Sequence, residues 1–120
     1  MADLVTKLLP ILRVPDLDAE RRFYDSFGLR TTYAGEEYPD FVAVGNDSVE
    51  FGLSKGAGAD STSFQWQLGV SDVDAVVEVC ELGGFAYRVE VEEPGDGWLY
   101  RVVKVIAPSG AEVWFEGDRE

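Results

Sequence analysis

"VPDLDAERRFYDSFGL" runs from Val14 to Leu29, and "VSDVDAVVEVCELGGF" runs from Val70 to Phe85. Laid over each other at an offset of 56 residues, Leu12 falls on Leu68, Val14 on Val70, Asp16 on Asp72, Asp18 on Asp74, Ala19 on Ala75 and Gly28 on Gly84. Each stretch reads as an amphipathic helix entered from a strand. Asp16 and Asp72 stand where a carboxylate caps free backbone N–H groups. Asp18, Glu20 and Asp74 lie where the helix dipole favours negative charge, and Gly28 and Gly84 stand at the stop. Phe23, Tyr24 and Phe27 share one face of the first helix, and Val73, Val76, Val77 and Cys80 recur at helical spacing on the second. Capping alone makes any two such helices look alike. It does not account for the matched Leu and Val ahead of each cap.

Outward from the helices the two halves keep the same order. "LLPILRV" (8–14) reads as a strand before the first helix, and "LRTTYA", "DFVAV" and "VEFGLS" read as three strands after it. "FQWQLGV" precedes the second helix, followed by "FAYRVEVE", "LYRVVKVI" and "AEVWFE". The turns "GNDS" and "APSG" occupy corresponding places before the last strand of each half. The expectation is an α+β domain spanning 1–120, built from two tandem βαβββ modules: repeat 1 at about 4–54, a polar linker at about 55–63 ("KGAGADSTS") and repeat 2 at about 64–116. Such a pair predicts a concave, partly open eight-stranded sheet cup with the helices outside.

Composition narrows the chemistry. The chain has 120 residues, 46% of them hydrophobic, and a net charge of −13, so a folded acidic globule is expected. That charge repels phosphate backbones and argues against nucleic acid as a partner. It suits solubility or high salt, and equally an acidic crevice that attracts cations. No apolar run approaches the roughly 20 residues of a membrane span, so no membrane partner is expected. The N-terminus has no signal-peptide pattern, and the lone Cys80 forms no internal disulfide, so a cytoplasmic location is expected. Histidine is absent, which removes Ser-His-Asp and Cys-His catalysis and His-based metal sites. Cys80, on the apolar helical face, reads as a small buried hydrophobe.

"PILRVPDLDAERRFYDSFGL", "QLGVSDVDAVVEVCELGG" and "VIAPSGAEVWFEG", in that order from about Leu4 to Glu116, resemble the vicinal oxygen chelate superfamily. That superfamily includes glyoxalase, extradiol dioxygenases and bleomycin-resistance proteins. The resemblance implies where a metal is held in other members. One ligand lies five residues before the Val of each V-x-D, which here gives Leu9 and Gln65. The closing ligand lies four residues after the turn glycine Gly110, which gives Trp114, and its counterpart in the first half falls at about Phe51. Leucine, phenylalanine and tryptophan do not ligate a metal, and one neutral amide does not hold a divalent ion. No metal and no cofactor are therefore expected, and no catalytic residue is assigned. The resemblance is nearest to the metal-free bleomycin-resistance type.

Strand parity divides the remaining candidates. Leu8, Leu12, Val14, Trp66, Leu68, Val70, Val113 and Phe115 form an apolar side suited to lie under helices. Leu9, Ile11, Phe51, Leu53, Gln65, Gln67, Glu112, Trp114 and Glu116 form a mixed side that reads as a binding surface. The resemblance to the resistance-type branch implies that Trp98, after the acidic loop with Glu92, Glu93 and Asp96, borders the ligand, and Tyr33, Tyr38 and Phe41 are candidate rim residues. The expected ligand-binding set is thus Leu9, Tyr33, Phe41, Phe51, Gln65, Gln67, Trp98, Trp114 and Glu116. The leading reading, which the resemblance implies, is a protein that sequesters a cationic or aromatic small molecule such as an antibiotic, and the homodimers usual among related proteins imply a homodimer here. The alternatives are a metal-dependent isomerase, lyase or dioxygenase-like enzyme using Glu50, Glu112 or Glu116, and an interaction module whose cup is filled.

Overall fold

The computed structural model of the chain describes residues 4, 8–56, 66–95 and 98–119, with side chains described except at 92–95, 98–100 and 118–119. The elements alternate as the repeat requires. They are β1 (Ile11–Val14), α1 (Leu17–Asp25), β2 (Arg30–Ala34), β3 (Phe41–Gly45) and β4 (Glu50–Lys55), then β5 (Trp66–Gly69), α2 (Val73–Gly83), β6 (Tyr87–Gly95), β7 (Trp98–Ile106) and β8 (Glu112–Arg119). The strands form two four-stranded open sheets of like topology, β1-β4-β3-β2 and β5-β8-β7-β6. In each, the first and last strands of the module pair in parallel, and the other neighbours are antiparallel. Met1–Ala59 and Asp60–Glu120 are separate compact units.

The repeated aspartates are caps. The Asp16 carboxylate accepts from the Ala19 N–H at 3.1 Å and the Asp72 carboxylate from the Ala75 N–H at 3.2 Å. The matched alanines carry the N–H that each cap satisfies, which explains why Asp and Ala recur together. Gly28 and Gly84 recur because both take left-handed backbone, with φ of 87° and 70°. So the shared letters are helix punctuation, and the strands on either side supply the rest of the likeness.

The two cores are filled differently. Under α1, Phe23, Tyr24 and Phe51 are buried, with Tyr24 edge-on to Phe51 at 4.9 Å between ring centres. In the second module Val73, Val76 and Cys80 of α2 and Val103, Val105, Val113 and Phe115 of β7 and β8 are all buried. Burial pushes the Cys80 thiol up to about 11. Arg101 ties the helix to the sheet through Asp74 at 2.8 Å. Gly117 lets β8 run close beneath the start of α2, because a Cβ there meets the Val70 carbonyl oxygen at 2.8 Å and Val73 at 2.9 Å.

Strand β1 begins at Ile11, later than expected: Leu8 precedes the strand and is 83% exposed. Pro10, with no N–H to give, contributes only its carbonyl, which accepts from Gly52. The parity of β4 also differs from expectation. Leu12 pairs with Leu53 and Ile11 with Gly52, so Leu53 and Phe51 share the helix side with Leu12. They belong to the core rather than to the mixed side.

Candidate functional site

Register makes the two open sheet faces, those turned away from the helices, directly comparable. Ile11 pairs with Gly52 in the first module, and Gln67 pairs with Trp114 in the second. Ile11 and Gln67 are themselves counterparts at the 56-residue offset, so Gly52 is the position equivalent to Trp114. The offset has grown to 62 residues there because β6 and β7, at 9 residues each, are longer than β2 and β3, at 5 each. This corrects the expectation at Phe51, which is 2% exposed and faces Tyr24.

On the first open face, Gly52 forms a floor. A Cβ at that position meets Phe41 at 2.6 Å and Ile11 at 3.1 Å, so both side chains lie over the glycine. Tyr33 leans on Phe41 with ring centres 6.1 Å apart. Tyr33 is 39% exposed and Ile11 55%, which leaves an aromatic and aliphatic patch open. Beside it Thr32 donates its hydroxyl to Glu50 at 2.7 Å. Leu9 is half-buried just before β1, and Tyr38 is exposed between β2 and β3.

On the second open face, five side chains close into a ring. The Trp114 indole N–H donates to Glu112 at 2.8 Å. Glu112 pairs with Arg88 at 3.3 Å, and Arg88 with Glu90 at 3.0 Å. Glu90 pairs with Lys104 at 2.9 Å, and the Lys104 ammonium sits 4.0 Å from the centre of the Trp114 ring. Strand alternation is what gathers them: Arg88 faces Lys104 across β6–β7, and Lys104 faces Trp114 across β7–β8. Two cations and two carboxylates make the ring neutral. Hydrogen bonds from Lys104 and then Arg88 hold the Glu90 carboxyl below the ordinary glutamate range, and Glu90 and Glu112 hold the Arg88 guanidinium above its own. Gln67, beside Trp114 in the register, is exposed, and Glu116 is half-buried on the same face. Gln65 and the Trp98 side chain lie outside the described residues.

Chemically this surface offers an indole face, an amide and a self-neutralised set of charges. It does not offer a metal site of the usual kind. Gly52 and Trp114 supply no lone pair for a cation, Glu50 is engaged by Thr32, and Glu112 by Trp114 and Arg88. Among the described residues no three His, Cys, Asp or Glu side chains gather to hold a metal ion. No described helix is long and apolar enough to cross a membrane.

Sequence reading missed Lys104, Arg88 and Glu90. Their alternation along β6 and β7 was visible, but which residues face one another depends on the register of a hairpin whose turn the sequence does not fix. It also missed a shallow cleft of about 570 Å³ where α1 begins, lined by residues including Pro15, Asp18, Arg21, Pro39, Asp40 and Lys55. None of the expected site residues lines that cleft. Three of its polar groups serve α1 itself, since Asp16 caps the helix and Asp18 pairs with Arg21 at 2.7 Å and with Arg22 at 3.1 Å. The Trp114 face, with a large ring, an amide and carboxylates on one strand surface, is the stronger candidate.

No protein-family model and no curated protein matches the sequence. Solved structures match across nearly the whole chain. A glyoxalase/bleomycin resistance protein/dioxygenase from Alicyclobacillus acidocaldarius aligns with a TM-score of 0.74 at 15% identity, covering 100% of this chain and 96% of that one. A glyoxalase/bleomycin resistance protein from Catenulispora acidiphila aligns at 0.70 and 21% identity, covering 94% and 98%. A bleomycin-binding protein in complex with bleomycin aligns at 0.58 and 14%, covering 97% and 99%. The chain therefore has the fold of the vicinal oxygen chelate superfamily, with two βαβββ modules.

Proposed function

We propose that this protein binds a cationic or aromatic small molecule on its open sheet faces and acts by sequestering it, without a metal and without a chemical step. The observation that carries the reading is Trp114. A half-buried indole stands on the open face, ringed by paired charges, in a fold in which one neighbour of known structure holds bleomycin. An indole offers stacking area at low cost in side-chain entropy, and its N–H is already satisfied by Glu112, which leaves the ring to recognise a cation or an aromatic group. Gln67 supplies hydrogen bonds and Glu116 adds negative charge on this face, and Tyr33, Phe41 and Leu9 give the first module's open face an apolar contact surface of its own. Gln65 and Trp98 complete the proposed set. A homodimer in the cytoplasm, with antibiotic resistance as the outcome, belongs to the same proposal.

The test is a titration of the protein with a panel of cationic and aromatic antibiotics, bleomycin among them, followed by tryptophan fluorescence. At least one compound gives a saturable change, and Trp114→Ala weakens its binding by about 1–3 kcal/mol while the far-ultraviolet circular dichroism stays unchanged. A panel that leaves the fluorescence flat contradicts the proposal.

A further inference from the structure

We infer that Lys104 is the resident occupant of a cation site on the Trp114 face, and that a ligand's ammonium group binds there by exchanging with it. The inference rests on the reading of this face as a ligand site and adds its chemistry of recognition. Two groups define the site: the Trp114 ring at 4.0 Å and the Glu90 carboxylate at 2.9 Å from the Lys104 nitrogen. Both are what an organic ammonium needs, an electron-rich face and an anionic acceptor. Lys104 fills the place tightly, for its side chain is only 11% exposed while those of Arg88 and Glu90 are 55% and 42% exposed.

The ring of contacts also shows why exchange is feasible. Glu90 keeps Arg88 when Lys104 leaves, and Trp114 keeps Glu112, so neither partner is stranded. The lysine stem is long and flexible, and its ammonium is well hydrated once it swings into water. A ligand cation restores both lost contacts and leaves the ring neutral. An uncharged aromatic of the same shape displaces the ammonium and returns nothing to Glu90. The resident lysine thus sets specificity: it lowers affinity for every ligand and penalises neutral ones most.

The probe is 2-phenylethylammonium, with 2-phenylethanol as its uncharged counterpart, titrated into wild-type protein, Lys104→Met and Lys104→Arg and followed by NMR. Lys104→Met binds the ammonium probe about tenfold more tightly than wild type, since the vacated site no longer has an internal competitor. Lys104→Arg keeps a resident cation and stays near wild type. In the wild-type protein the Lys104 ε-methylene protons, shifted upfield by the Trp114 ring, move to the position of a solvated lysine as the probe saturates, and 2-phenylethanol binds more weakly. This last signal needs no variant, so it decides even where Lys104→Met fails to fold. Saturable binding to wild type with the Lys104 protons unmoved overturns the exchange and leaves the reading of the face intact, as does a Lys104→Met affinity equal to or below wild type. No saturable binding to any of the proteins overturns both.

Discussion

At equivalent positions of the two modules the chain places its smallest residue and its largest. Gly52 makes the first open face a floor under Phe41 and Ile11, with Tyr33 against Phe41, and Trp114 makes the second a pillar held by Glu112 and Lys104 within a ring of four charges. The helices behind the two faces are punctuated alike, by Asp16 and Asp72 at one end and Gly28 and Gly84 at the other. The difference teaches that the frame and the surface are separable: the frame repeats because helix starts and stops have few solutions, and the surfaces diverge because nothing in the frame depends on them.

The comparison breaks most severely at the cores. Phe51→Ala empties a site against Tyr24 and costs about 3–5 kcal/mol in urea unfolding, and Val113→Ala at the equivalent place in the second module costs less. If Phe51→Ala is mild, the aromatic ring faces the surface and the register given for β4 is wrong. Next in size are two glycines. In Gly117→Ala the new methyl meets the backbone carbonyl of Val70, a residue whose N–H is held by the Glu116 carbonyl at 2.8 Å, and about 1–3 kcal/mol is lost. Gly52→Ala meets the rim of the Phe41 ring, which swings aside, so its thermal midpoint falls by less. Removal of the caps by Asp16→Ala or Asp72→Ala costs about 1 kcal/mol each, and near-equal losses are the mark of a shared frame. The smallest effect separates the surfaces by pH. The Glu90 carboxyl lies below the ordinary glutamate range, so its contribution is present above that range and is lost as pH falls through the lowered value. The Lys104 ring-current shift therefore persists at neutral pH and collapses in acid below the ordinary glutamate range. Persistence of the shift in strong acid shows that the indole alone holds the ammonium.

Much of the frame was legible because it is written in local code. Caps, periodicity and the order of elements placed all ten elements, since each depends on residues a few positions apart. The candidate site was legible only where it inherited that code: Trp114 could be counted from Gly110, on the far side of a tight turn whose Ala107 and Ala111 backbones are hydrogen-bonded. Counting failed at Phe51, one residue from Gly52, because in a strand a slip of one reverses the face. Lys104, Arg88 and Glu90 were out of reach for another reason. Each is an ordinary surface charge in its own strand, and only the pairing of β6 with β7 and β7 with β8 turns them into one ring with Trp114.

The central claim is that the Trp114 face of the second module is where the ligand sits. The most direct measurement is a two-dimensional NMR titration of the three indole N–H signals with the tightest-binding cationic antibiotic of the panel, repeated on Trp114→Ala. The account predicts that the Trp114 indole signal moves and saturates with the ligand, and that Trp114→Ala keeps its fold while losing about ten- to a hundredfold in affinity. Saturable binding that leaves the Trp114 signal in place, with affinity unchanged in Trp114→Ala, contradicts it.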